Sequence, residues 1–152
     1  MVSHVREKAY TLVEVVVVCA IIGVLAVVGV LSISRLSGAA AVPTAAVRFA
    51  AVLRESQALA QVGGEPVNVI ISPSASYRVF LDSANGPVWL ASGDLAPVIC
   101  SSNYPGGSVA FSPQGWPCAV GSRIPRAGTF SFTYGGSLRS VVVQMGGCIR
   151  CR

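Results

Sequence analysis

Few residues of this chain could carry out acid–base or metal chemistry. The 152-residue sequence has one histidine, His4, and six acidic residues. A histidine-dependent nucleophile or a histidine-rich metal site therefore has no side chain to draw on beyond residue 4. No glycine motif of the phosphate-cradling kind is present, and Asp82 and Asp94 lie near turns, where carboxylates are usually solvated or cap the turn. The sequence therefore predicts no enzyme, no cofactor and no metal site.

Glu14 is the acidic residue in an unusual place. It directly precedes the 17 residues Val15–Leu31, which contain no charge and no strongly polar group. Extension to Ile33 adds only Ser32, and a helix of this length covers roughly 28 Å at ~1.5 Å per residue, about the thickness of a hydrocarbon core. A carboxylate in the middle of a membrane helix costs about 2.5–3.5 kcal/mol, and less near an end. Such a charge is usually functional and has a partner.

Three interpretations of the uncharged run Val15–Leu31 compete. It could be a secretory signal peptide, cleaved near Gly38–Pro43, although its apolar run exceeds the usual ~7–15 residues. It could also be a plain membrane anchor with Glu14 at the interface. The third interpretation gives Glu14 a partner, and it alone explains the carboxylate.

The letters "AYTLVEVVVVCAIIGVLA", from Ala9 onward, resemble the leader and first helix of type IV pilins and pseudopilins. The resemblance implies a leader over residues 1–9, which a prepilin peptidase removes by cutting between Ala9 and Tyr10. Tyr10 would then be N-methylated. Alanine stands here in place of the family's usual glycine, and tyrosine in place of its usual phenylalanine.

The same resemblance gives Glu14 a role in assembly. Cleavage leaves a positive amine on Tyr10, and Glu14 of a neighbouring subunit would neutralise it in the filament core. A paired buried charge is much less costly than an unpaired one. Residues 10–33 would form a transmembrane and assembly helix, with the N-terminus inside the cell and the domain outside. The expected location is therefore the inner membrane, crossed once, and then a periplasmic or cell-surface filament.

The helix is expected to continue as an amphipathic segment over residues 34–62. Gly38 and Pro43 can kink or break it, and Gly63 with Gly64 marks its end. One face carries the apolar residues that should dock on the following sheet: Phe49, Val52, Leu53, Leu59 and Ala60.

Residues 63–152 have the pattern of strands and turns. Alternating or filled apolar stretches predict strands within residues 66–72, 77–82, 88–92 and 107–115, and a terminal hairpin over 128–145 with Gly135 and Gly136 at its tip. Residues 92–105 and 116–127 look irregular. The predicted fold is therefore α+β, a long N-terminal helix packed on an antiparallel sheet.

Four stretches are also similar to the GspH/FimT branch of minor pseudopilins. They are "ALAQVGGEPVNVII", "YRVFLD", "VAFSPQG" and "SLRSVVVQMGG". The resemblance implies a minor pilin or pseudopilin, a structural subunit of a type IV pilus or type II secretion pseudopilus, with other such subunits as partners. A major pilin remains the structural alternative, because both share the leader and helix.

Four cysteines lie beyond the apolar segment: Cys100, Cys118, Cys148 and Cys151. In an oxidising compartment this even set predicts up to two disulfides, and we expect one from Cys148 or Cys151 to Cys100 or Cys118. A Cys148–Cys151 bond, a redox dithiol or half of a zinc site are alternatives. The last two fit less well, because the motif follows a strand and lacks a second tight cysteine pair.

The chain ends in "GGCIRCR", with Arg150 and Arg152 spaced to share one side of a strand, and Arg139 on the strand before. Guanidinium groups suit phosphate oxygens, and some FimT-like minor pilins for DNA uptake carry a similar G-R-x-R tail. DNA capture for natural transformation is therefore the alternative function. A solvated tail or a contact with a neighbouring pilin would explain the same residues.

Overall fold

A computed structural model describes residues 12–83 and 86–152, without the side chains of residues 27–39 and 83. The first element is a single helix, α1, from Leu12 to Gly63. The chain divides into two compact units, one ending at Ser37 and the other running from Gly38 to Arg152. The expected leader, residues 1–9, lies outside the described residues.

Helix α1 is continuous through both Gly38 and Pro43, where an interruption was expected. Proline removes one helical hydrogen bond and crowds the preceding turn. Immediately around it, Val42, Ala45 and Ala46 are buried in the core of the second unit, and this packing holds the helical path. The helix ends as predicted, with Gly64 at φ +69° and its N–H donating to the Ala60 carbonyl at 3.1 Å.

Side chains are described for the first part of the predicted membrane span, up to residue 26. Where side chains are described, no helical stretch is long and apolar enough to cross a membrane. Residues 27–39, which include the end of the predicted span, fall outside that set.

Nine strands follow the helix. They are β1 (Val67–Ile71), β2 (Ser76–Ser83), β3 (Gly86–Asp94), β4 (Ile99–Ser102), β5 (Ser108–Phe111), β6 (Pro117–Cys118), β7 (Gly128–Tyr134), β8 (Ser137–Val143) and β9 (Ile149–Cys151). One sheet has the order β3-β2-β1-β5-β6 and the other β4-β7-β8-β9, and all pairs are antiparallel. The α+β class is confirmed, with two sheets in place of the single sheet expected.

The helix and both sheets enclose one core. Phe49 of α1 is fully buried, and its ring centroid lies 5.0 Å from that of Phe130, 5.5 Å from that of Phe132 and 6.3 Å from that of Tyr77. Tyr77 belongs to the first sheet, and the two phenylalanines belong to the second. Edge-to-face packing of this kind adds to the burial of apolar area, so Phe49 is the residue at which all three layers meet.

The predicted buried face of α1 is correct in part. Phe49, Leu53 and Ala60 are buried, but Leu59 is 44% exposed. The buried face instead includes a polar residue, Ser56, whose hydroxyl donates to the Val52 carbonyl at 2.8 Å. A serine that bonds back to its own helix is satisfied without a partner on the sheets.

Candidate functional site

The start of α1 carries a continuous apolar surface, which we call the apolar segment, residues 12–25. Its large side chains are all about half exposed or more: Leu12, Val13, Val15, Val16, Val17, Val18, Ile21, Ile22, Val24 and Leu25. The exposed fraction ranges from 49% at Val18 to 81% at Leu12. Because these residues occupy every side of the helix, the segment lacks the polar face of an ordinary surface helix.

Glu14 lies in the first turn of α1, within this apolar segment. The other two residues of the predicted processing and assembly site, Ala9 and Tyr10, lie outside the described residues. Cleavage, N-methylation and the Glu14 pairing therefore stay predictions.

The C-terminal arginines lie on and beside β9, an edge strand of the second sheet. Arg150 stands opposite Val142 of β8, and the main chains of Arg152 and Ser140 exchange hydrogen bonds of 2.8 and 2.9 Å. Strand alternation therefore puts Arg150 and Arg152 on the same face of the sheet, as predicted. Both are exposed.

Arg139 does not share that face. It lies one residue before Ser140 on β8, so strand alternation turns it to the side of the sheet that faces α1. There it lines a pocket of about 150 Å³ with Pro43, Ala46 and Val47 of the helix, and with residues of the C-terminus. Strand alternation thus separates Arg139 from Arg150 and Arg152, although Arg152, at the end of the sequence, also lines this pocket beside the helix.

Helix α1 holds the C-terminus in place through polar side chains. Arg54 donates to the Ile149 carbonyl at 3.0 Å. Gln57 donates to the carbonyls of both Gly115 and Gly147, at 2.7 and 2.9 Å. Gly147 has φ +82°, and a Cβ there would collide with the Gly115 oxygen and the Gln57 side chain, so only glycine fits this meeting point.

The four cysteines of the second unit are free thiols, with Cys100 and Cys118 buried and Cys148 and Cys151 exposed. Burial raises the pKa of the Cys100 thiol to about 11 and also raises the pKa of Cys118. Cys100 and Cys151 lie on β4 and β9, the opposite edges of the second sheet. Three strand spacings separate them, roughly 14 Å, whereas a disulfide needs Cα atoms within about 7 Å. The predicted Cys151–Cys100 bond does not fit this sheet, so a bond from Cys151 to the body of the domain would have to use Cys118.

No three His, Cys, Asp or Glu side chains come together as possible metal ligands in the described part of the chain. The four-cysteine zinc alternative therefore has no preformed site among these residues.

Sequence reasoning missed an aromatic cluster on β2 and β3. The guanidinium of Arg78 lies 5.7 Å from the ring centroid of Trp89, and the ring of Phe80 lies 5.2 Å from the same tryptophan, which is 57% exposed. Arg78 and Phe80 are two residues apart and so share a strand face, which the sequence alone could have predicted. The pairing of Phe80 with Trp89 depends on a β-bulge in β3, which the sequence does not mark.

Comparison with known proteins finds one sequence motif in this chain and solved structures of similar fold. The prokaryotic N-terminal methylation motif matches residues 5–30. The fold is similar to that of the type IV minor pilin FimU of Pseudomonas aeruginosa, with a TM-score of 0.59 at 16% identity over 72% of this chain and 91% of that chain. It is equally similar to the minor pseudopilin EpsH of the type II secretion system of Vibrio cholerae, with a TM-score of 0.60 at 15% identity over 73% of this chain and 95% of that chain. No curated protein matches the sequence.

Proposed function

We propose that the chain works as a minor pilin or pseudopilin that assembles through the start of α1. Its N-terminal methylation motif and its fold are similar to those of type IV pilins and pseudopilins, in particular the GspH/FimT branch. It is a structural subunit and not an enzyme. Its partners are other pilin or pseudopilin subunits.

The observation that carries this proposal is the apolar segment of residues 12–25. Each of its large side chains is about half exposed or more, and a helix that is apolar on all sides is stable only when something apolar covers it. Before assembly, lipid supplies that cover: the uncharged residues Val15–Leu31 anchor the chain once in the inner membrane, with the second unit outside the cytoplasm. In the filament, the helices of neighbouring subunits replace lipid.

Glu14 sets the register in which the helices of neighbouring subunits stack. After a prepilin peptidase has cut between Ala9 and Tyr10, the new amine and the carboxylate both enter a low-dielectric filament core. Each charge is costly alone and much less costly when paired. The amine of one subunit therefore pairs with Glu14 of the next, and other stacking offsets keep these two groups apart.

The experiment that tests processing is the intact mass of the protein extracted from membranes or filaments. We expect a chain that starts at Tyr10 and carries one methyl group. A chain that starts at Met1, or near Val42 where a signal peptidase would cut, contradicts the proposal. Ala9→Gly, which restores the usual residue before the cut, is the matched control and should leave the same product.

A second candidate function, DNA capture, is supported by the exposed C-terminal arginines. Arg150 and Arg152 are exposed on one sheet face, and Ser140 stands directly across from Arg152 in the strand pairing. Guanidinium and hydroxyl donors on a common face suit phosphate oxygens. Because Arg139 turns to the other side, the proposed contact rests on two arginines.

The test is titration of the full chain in detergent with duplex DNA of unrelated sequences. We expect weak binding without sequence preference, and a log–log salt slope of about −2, since two phosphates are neutralised. The double variant R150A/R152A should lose most of the affinity and flatten the slope, whereas R139A should change both far less. Equal binding by the wild type and the double variant, or no binding by either, removes the DNA role and leaves the filament role standing.

A further inference from the structure

The C-terminal strand β9 is short but is tied down on both sides. Three of its residues pair with β8, and Arg152 exchanges two further hydrogen bonds with Ser140. At its other end the N–H of Gln144 donates to the Cys148 carbonyl at 2.9 Å. Helix α1 contributes the bond from Arg54 to the Ile149 carbonyl, and Ile149 itself is buried.

One exposed thiol, Cys148, lies just before this strand, and the other, Cys151, is its last residue. Cys151 stands opposite the buried Val141, and its Sγ donates to the Ala46 carbonyl of the helix at 3.8 Å. Cys148 lies three residues earlier, immediately before β9, so continuing the alternation of the strand turns it to the opposite face.

The same geometry separates the two residues along the chain. Three residues of extended chain span about 10 Å, whereas the Cα atoms of a disulfide lie at most about 7 Å apart. The two thiols therefore cannot bond to each other while β9 is paired with β8.

We propose that Cys148 and Cys151 form a redox-controlled modification site, in which a disulfide between them and the pairing of β9 exclude each other. The reduced chain holds β9 on the sheet. The oxidised chain has a closed Cys148–Cys151 loop and a detached C-terminus. This inference concerns the second unit alone and stands whether or not the chain assembles into a filament.

The chemistry is thiol–disulfide exchange with an external disulfide, either a small one such as oxidised glutathione or that of an oxidising protein. The Cys148 thiolate attacks one sulfur of that disulfide, a mixed disulfide forms, and one thiolate leaves. The Cys151 thiolate then attacks the Cys148 sulfur, which forms the internal bond and releases the second thiolate. The external disulfide is reduced to two thiols, which take up the two protons lost by Cys148 and Cys151.

Only the second step needs β9 to detach. Cys148 is exposed, so the first step can occur on the folded sheet. The second step breaks the bonds that hold Ile149 and Arg152, exposes the Ile149 side chain, and removes Arg150 and Arg152 from the sheet face. At the same moment the amides of Ser140 and Gln144 lose their hydrogen-bond acceptors, the carbonyls of Arg152 and Cys148.

The test uses the full chain in detergent, oxidised with glutathione disulfide or kept reduced, with peptide mapping and amide hydrogen exchange. In the oxidised wild type we expect a Cys148–Cys151 disulfide, and exchange at the Ser140 and Gln144 amides at least about tenfold faster than in the reduced protein. The matched control is C151S. It should stop at a Cys148–glutathione mixed disulfide and keep both amides protected, which separates loss of pairing from modification itself.

Three results would overturn the proposal. The first is a Cys148–Cys151 disulfide with the Ser140 and Gln144 amides still protected. The second is a wild type that stops at the mixed disulfide, as C151S does. The third is a bond from either thiol to Cys100 or Cys118 with β9 still in place.

Discussion

The two ends of α1 are built from similar residues and have opposite surroundings. Residues 12–25 are almost entirely aliphatic, and their large side chains are about half exposed or more. From Val42 to Ala60 the helix is also rich in alanine, valine and leucine, but its apolar side chains are largely confined to one face, and that face is buried against two sheets. Polar and charged residues such as Arg48 and Glu55 occupy the outside.

This difference distinguishes the part of the helix that folds against its own chain from the part whose apolar surface is left for lipid or other subunits. The second part of the helix has its partner within the same chain, so its sequence has one apolar face and one polar face. The apolar segment has no polar face, and we propose that lipid or other subunits cover it. A substitution should therefore affect folding in one part and assembly in the other.

The largest effect that distinguishes the two parts is expected at Phe49. Its ring is fully buried among Phe130, Phe132 and Tyr77, and loss of such a ring leaves a cavity that costs about 3–5 kcal/mol. F49A should lower the free energy of unfolding of the second unit by that amount, measured by urea titration in detergent. Tryptophan fluorescence reports on this unit alone, because Trp89 and Trp116 both lie in it.

The matched variant for the other part of the helix is V17A, at a side chain that is 50% exposed. Its unfolding free energy should stay within about 0.5 kcal/mol of the wild type, as at most exposed positions. A loss at V17A comparable to that of F49A would show that the apolar segment belongs to the folding unit.

Much of the fold was predictable because its signals are local. The helix end at Gly63–Gly64, strands β1, β2, β3 and β5, and the β7–β8 hairpin follow from turn glycines and apolar alternation. Strands β4 and β6 were read as irregular chain, and β9 was anticipated only through the spacing of Arg150 and Arg152, since two to four residues are too short for a period to show. Each of them is an edge strand that exists because a longer neighbour offers its hydrogen bonds.

The candidate site was predictable to different degrees. The position of Glu14 at the start of an apolar helix, and the common face of Arg150 and Arg152, follow from local spacing. The separation of Arg139 from that pair depends on the β8–β9 register, and the double hydrogen bond of Gln57 joins residues 58 and 90 positions apart. Contacts of such range leave no mark in a single sequence.

Burial in the second unit also sets its response to pH, a smaller effect. Burial raises the pKa of the Cys100 thiol from its ordinary 9.0 to about 11, and that of Tyr104 from 10.0 to about 12. Both groups keep their protons longer in the folded chain than in the unfolded chain. Stability is therefore fully present below about pH 9 and falls as pH rises toward 11 and 12, by at most about 1.4 kcal/mol per pH unit for each group.

The measurement is the free energy of unfolding at about pH 8 and about pH 10.5. C100A should show a shallower fall between the two than the wild type, whatever its stability at pH 8, because the Cys100 contribution is lost while those of Tyr104 and Cys118 remain. If the two proteins lose the same free energy over that interval, burial of Cys100 does not govern the alkaline response.

In the assembly that we propose, the start of α1 is an assembly surface on which Glu14 pairs with the amine of a neighbouring subunit. The most direct measurement is the amount of E14A recovered in purified filaments relative to the amount in membranes, with E55A, an exposed glutamate later on the same helix, as control. Removing one member of a buried charge pair costs about 3–5 kcal/mol, so incorporation of E14A should fall by about tenfold or more while its membrane level is unchanged. E55A should enter filaments as the wild type does. Equal incorporation of E14A and wild type would show that assembly does not depend on the Glu14 carboxylate.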